Sequence, residues 1–229
     1  MVKEKKYYLF KINVNILNIM CAILLVLLFG ITYFIRPTVF NETFDKINLG
    51  MLLISYSIYM CFHEILHSIS YMIYGADFKK IIYGVSLENG VLCCLCKQNI
   101  NKRNILNSLM FPLFYLGILT YILGFIINNL YLIILSIFNI SGCIGDIIMF
   151  LYIVRLNKNI EYTELDDPIM FAIYADEDVS KTNHFGLDYV GCVEDVCRQD
   201  FKKINISKKS YVLLTVWFVF CLACCLLKI

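Results

Sequence analysis

LGMLLISYSIYMCFHEILHSISYMIY, residues Leu49–Tyr74, carries His63-Glu64-Ile65-Leu66-His67 inside an apolar run long enough to cross a bilayer. The run reads as a helix, and helical residues four apart share a face, so His63 and His67 point the same way. Two imidazoles so placed can hold one Zn²⁺, and the Glu64 between them can take a proton from the water that the metal activates. The chain has only three His and eight Glu, so chance rarely produces this HExxH pattern. Its position adds weight, because a charged group at the bilayer centre costs roughly 2.5–3.5 kcal/mol even on mild scales. The competing reading is a pair of histidines bonded to neighbouring helices beside a protonated Glu64.

Around this segment the composition is that of a membrane protein. Of 229 residues, 60% are hydrophobic and 17% charged, and mean hydropathy is +0.72. A soluble average is about 25% charged. Five apolar stretches approach bilayer length: about 16–35, 49–74, 105–127, 130–154 and 211–227. The expected fold class is therefore an all-α polytopic membrane protein, with about five transmembrane helices and a cytoplasmic β-hairpin. Its domains are expected to be a membrane-embedded core over 1–156, a cytoplasmic segment over 157–210 and a C-terminal transmembrane helix over 211–229. The net charge of +2, with no basic stripe, gives no sign of a nucleic-acid partner, and none is expected. The expected location is multi-pass in a membrane, as in a bacterial plasma membrane.

Orientation follows from the loops. By alternation one side receives residues 1–15, 75–104 and 155–210, with seventeen of the twenty Lys and Arg. The positive-inside rule puts that side, and the N-terminus, in the cytoplasm. On the same side, Asn89-Gly90 lies between the β-prone runs 79–86 and 91–97, a strong hairpin signal. The first span, after Lys3, Lys5, Lys6 and Lys11, is too long for a cleaved signal peptide and reads as retained. The eleven Cys do not form a secreted disulfide framework. Cys93, Cys94 and Cys96 form a tight group and Cys192 and Cys197 a loose pair, each readable as reduced thiols or as part of a structural zinc site.

Catalytic zinc usually has three protein ligands and water. Leaving Tyr and Cys aside, the five spans hold one further ionisable residue, Asp146. It lies about nine residues before Arg155, and the motif about ten before Gly75. At 1.5 Å per residue those depths agree, at ~14 and ~15 Å. Asp146 is thus the expected third metal ligand with His63 and His67, or else a protonated acid bonded to a neighbouring helix. Ser141, Gly142 and Gly145 would let helices approach closely. Asn139, two turns before Asp146, could bond a substrate carbonyl or join helices.

Taken together, a transmembrane HExxH, a hairpin and a later span carrying Gly145-Asp146 resemble the zincin peptidases of the DUF3267 group. More distantly they look like the site-2-protease class of intramembrane metalloproteases. The likeness covers residues 48–156; Pro112 and Asp167-Pro168 also fit the DUF3267 pattern. It implies a zinc metallopeptidase with His63, His67 and Asp146 as ligands and Glu64 as the base. It also implies that hairpin 79–97 presents a membrane protein or peptide substrate. The site-2-protease signature has Asp followed by Gly; here Gly145 precedes Asp146 and Ile147 follows. The alternative function is a catalytically inactive metal-binding membrane protein acting through a partner. A transporter is disfavoured by the absence of an internal repeat. A prenyl-protein type membrane zincin is disfavoured because no span after the second carries Glu.

Overall fold

The computed structural model describes residues 6–37, 47–86, 91–165, 167, 169–182 and 184–193. Helices α1 (Val14–Ile35) and α2 (Leu49–Ile73) come first, after strand β1 (Lys6–Ile12). Strands β2 (Ile81–Ser86) and β3 (Val91–Cys96) follow, then β4 (Ile100–Asn101). The next apolar span is composite: α3 (Lys102–Pro112), a π turn over Leu113–Ile118 and α4 (Leu119–Ile126). After it come α5 (Leu130–Gly142), α6 (Ile144–Arg155) and strands β5 (Glu161–Glu164), β6 (Met170–Ala175) and β7 (Leu187–Val193). Among the described residues, three helical stretches are long and apolar enough to cross a membrane: Val14–Ile35, Leu49–Ile73 and Lys102–Ile126. A fourth arises if α5 and α6, bent by 42° at their junction, are counted as one. The expected fifth span, 211–227, lies outside the described residues.

The expectation of an all-α protein is overturned. A five-stranded antiparallel sheet has the order β4-β5-β6-β1-β7. Its strand β1, paired on both sides, lies in a segment that reads in sequence as a basic leader to the first span. β1 pairs with β6 (Leu9 with Ala172, Phe10 with Phe171) and with β7, with a register shift between Leu9 and Phe10. The sheet escaped sequence reading because its strands are drawn from segments up to about 180 residues apart, and only tertiary pairing joins them. The two runs of the expected hairpin do pair, Ile81 with Cys96 through to Ser86 with Val91. Its turn, Leu87–Gly90, is outside the described residues.

The described residues fall into two compact units, one drawing on residues within 1–18, 64–111 and 145–205, the other on 19–63 and 112–144. In the first, Phe10 is fully buried. Its ring lies 5.7 Å from Phe171 and 4.8 Å from Tyr152. α2 stops where Gly75 takes φ +89°. The Ala76 N–H then returns to the Tyr71 carbonyl at 2.9 Å, a glycine-dependent helix end. In the second unit, Leu130, Ile133, Ile134 and Ile137 form a core with Leu28, Phe29, Tyr121 and Phe125. α4 turns into α5 through Asn128, at φ 52°, and Asn129, whose side chain caps α5 by accepting from the Leu132 N–H at 3.0 Å. A Cβ added to Gly142 would meet nothing within 4 Å, and one on Gly145 only ordinary contacts. The close approaches are at Gly117 and Gly124 instead, where a Cβ would lie 2.9 Å from Ile140 and 2.8 Å from Ile133.

Candidate metal centre

The helical spacing of His63 and His67 sets the site. Both are buried, at 5% and 6% exposure, on a helix whose neighbouring Ile65 and Ile69 face outward. Donor atoms of His63, His67 and Asp146 all lie within 4.8 Å of one another, and no other such group occurs among the described residues. Asp146 sits in the first turn of α6, just past the bend. Its Oδ2 is 3.5 Å from His67 Nε2. That is close to the ~3.3 Å that separates two ligands of a tetrahedral zinc with arms of about 2.05 Å.

Each imidazole is held from behind. His63 Nδ1 lies 2.9 Å from Asn139 Oδ1, and His67 Nδ1 lies 3.1 Å from the Ser108 carbonyl. A carbonyl only accepts, so Nδ1 of His67 carries the proton, which in the neutral imidazole leaves the lone pair on Nε2. Nε2 is the nitrogen facing Asp146. The donor set, two neutral imidazoles and one carboxylate with outer-sphere acceptors, therefore fits zinc with a position left for water or substrate.

Glu64 is half-buried on the turn between the histidines. Burial pushes the Cys93 thiol up to about 12, and the Glu64 carboxylate adds to that rise, as it does at Cys94. Strand β3 therefore runs close to Glu64. Cys93, Cys94 and Cys96 are free buried thiols and belong to no metal-ligating group among the described residues. Cys192 is exposed, and Cys197 lies outside the described residues.

Glu164 stands out among the groups that sequence reading passed over. Its Oε1 accepts from the Tyr71 hydroxyl at 2.9 Å and from Tyr162 at 3.3 Å, and its Oε2 accepts from the Cys96 N–H at 2.5 Å. One carboxyl thus ties α2, β3 and β5. Burial pushes its pKa up to about 7, against the lowering effect of the Cys96 N–H, the Tyr71 hydroxyl and Lys97. Tyr71 lies one turn beyond His67, with the two rings stacked at 6.3 Å. The signal available in sequence was the continuation of the face His63, His67, Tyr71 at spacings of four; nothing there pointed to Glu164. Asn139 and Ser108 are both fully buried.

A chain with membrane-length helices, two buried histidines on an HExxH helix and a carboxylate brought to them from α6 fits the zincin class of metallopeptidases. Residues 56–160 match the DUF3267 family, described as "Putative zincin peptidase", and that stretch includes every residue of the cluster. The match supports a metallopeptidase in general and zinc as its metal. Neither a curated protein nor a solved structure matches the chain.

Proposed function

We propose that the chain is a membrane-embedded zinc metallopeptidase that hydrolyses peptide bonds of a membrane protein or peptide near the cytoplasmic side of the bilayer. The convergence of His63, His67 and Asp146 on one small volume carries this reading. These three residues hold the metal, which when bound supplies Lewis acidity toward a carbonyl and lowers the pKa of water to about 7. Glu64 takes the proton of the attacking water and delivers it to the leaving amine.

A helical substrate hides its peptide carbonyls and must unwind before attack. The hairpin beside Glu64 receives the extended segment by strand addition. β2 pairs only with β3 among the described residues, and its Ile82 and Tyr83 are exposed. The sidedness is supported by the five-stranded sheet. Its strands come from 6–12, 100–101 and 161–193, segments that alternation assigns to the one Lys- and Arg-rich side. Strands that share hydrogen bonds share a side of the membrane.

The test is zinc per chain in detergent-purified wild type and Asp146→Ala. We expect about one zinc in the wild type and loss of it in the variant. A zinc-free wild type, even after reconstitution, would leave His63, His67 and Asp146 as a buried polar network and remove the peptidase reading.

A further inference from the structure

Both second contacts of the metal-facing histidines trace to one residue, Pro112. In an α-helix the N–H of residue 112 would donate to the carbonyl of residue 108. Proline has no N–H, so that bond is missing and the Ser108 carbonyl lacks its ordinary helical donor. Ser108 is fully buried, where an unsatisfied carbonyl is costly. His67 Nδ1 lies on it at 3.1 Å.

Pro112 acts a second time through its own carbonyl, which accepts from Asn139 Nδ2 at 3.4 Å. That contact orients the amide: its NH₂ faces Pro112, so its Oδ1 faces His63 Nδ1 at 2.9 Å. An acceptor at that point requires the proton on Nδ1 and leaves the lone pair on Nε2. The π turn over Leu113–Ile118 starts immediately after Pro112.

We propose that Pro112 is the positioning residue of the metal site, fixing the ring orientation and tautomer of His67 through the freed Ser108 carbonyl and of His63 through Asn139. The inference rests on the zinc reading above. It makes the proline a requirement for metal affinity rather than for helix stability, and the two roles have opposite signs. Alanine at 112 restores an N–H that competes with His67 for Ser108, so it should stabilise the helix while loosening the site.

The experiment compares wild type, Pro112→Ala, Asn139→Ala and Asn139→Asp as full-length proteins in detergent. Zinc affinity is read by competition with a chromophoric chelator. The Co²⁺-substituted proteins give visible spectra, and the metal-free proteins give melting temperatures. We expect Pro112→Ala and Asn139→Ala to bind zinc about 10–100-fold more weakly. Their Co²⁺ spectra should be altered, and metal-free Pro112→Ala should melt no lower than wild type. Asn139→Asp keeps an oxygen acceptor for Nδ1–H but loses the donor to the Pro112 carbonyl, so it should lose less affinity than Asn139→Ala. Wild-type affinity and an unchanged Co²⁺ spectrum in both alanine variants would overturn the proposal while leaving the zinc site intact. If Pro112→Ala does not fold, the Asn139 pair decides: equal loss in Asn139→Ala and Asn139→Asp overturns the orienting role. A wild type that binds no zinc removes the site itself, and this inference with it.

Discussion

At the residue scale, Glu64 separates a metal-binding protein from a hydrolase. It is half-buried between two buried histidines, with the β3 thiols near its charge. In the proposed reaction it moves protons and holds no metal. Glu64→Gln should therefore keep the wild-type zinc content while turnover of a cleaved substrate falls by about 10²–10⁴-fold. Zinc analysis alongside a cleavage assay checks this; a variant that turns over at the wild-type rate removes Glu64 from the mechanism. Asp146 behaves differently. As the proposed third ligand, with a carboxylate oxygen within 4.8 Å of a nitrogen of each imidazole, its loss should cost the metal first and activity as a consequence.

At the scale of elements, Glu164 joins the HExxH helix to the hairpin and to β5 through Tyr71, the Cys96 N–H and its own strand. Its folded pKa, about 7, lies above the ordinary carboxyl value of 4.5. Between those values the folded state holds a proton that the unfolded state has lost, so stability falls as pH rises through that window. Glu164→Gln has no such titration. Its melting temperature relative to wild type should rise from pH 5 to pH 8, by thermal unfolding in detergent. A constant difference would show that Glu164 ionises alike in both states. A second expectation concerns helix approach in the other unit. A Cβ on Gly124 would meet Ile133 Cγ1 at 2.8 Å and the Ile133 backbone nitrogen at 3.1 Å. A backbone atom yields little, so Gly124→Ala should destabilise by about 1–3 kcal/mol. Gly142→Ala, with open space, should be far milder, and paired unfolding curves would show it.

At the scale of the whole molecule, the N-terminal segment is structural. Lys6–Ile12 is flanked by β6 and β7, and its Phe10 is fully enclosed by aromatic side chains. Removing residues 1–12 takes out a strand paired on both sides and leaves two unpaired edges. We expect the truncated protein to lose protease resistance across 161–193, where a dispensable leader would leave it unchanged. Limited proteolysis with mass mapping distinguishes the two.

The sequence by itself determined the helical face that His63 and His67 share. Three of the four apolar spans that fall within the described residues appear as membrane-length helices, because periodicity and apolar length are local properties that a chain carries wherever it folds. The spacing of His63 and His67 made their shared face readable. The scarcity of other intramembrane charges singled out Asp146. The sheet was not readable. β1 has seven residues and a mixed pattern, and it becomes a strand only when β6 and β7, more than 150 residues away, supply its hydrogen bonds. The hairpin sits between these cases: its strands were local and legible, while its link to the HExxH helix through Glu164 was not. The same holds inside the site. The motif named the two candidate histidine ligands, but the acceptors that hold their rings, the Ser108 carbonyl and Asn139, come from other helices. Tertiary structure decided those contacts because a buried N–H takes whatever acceptor the packing brings within reach.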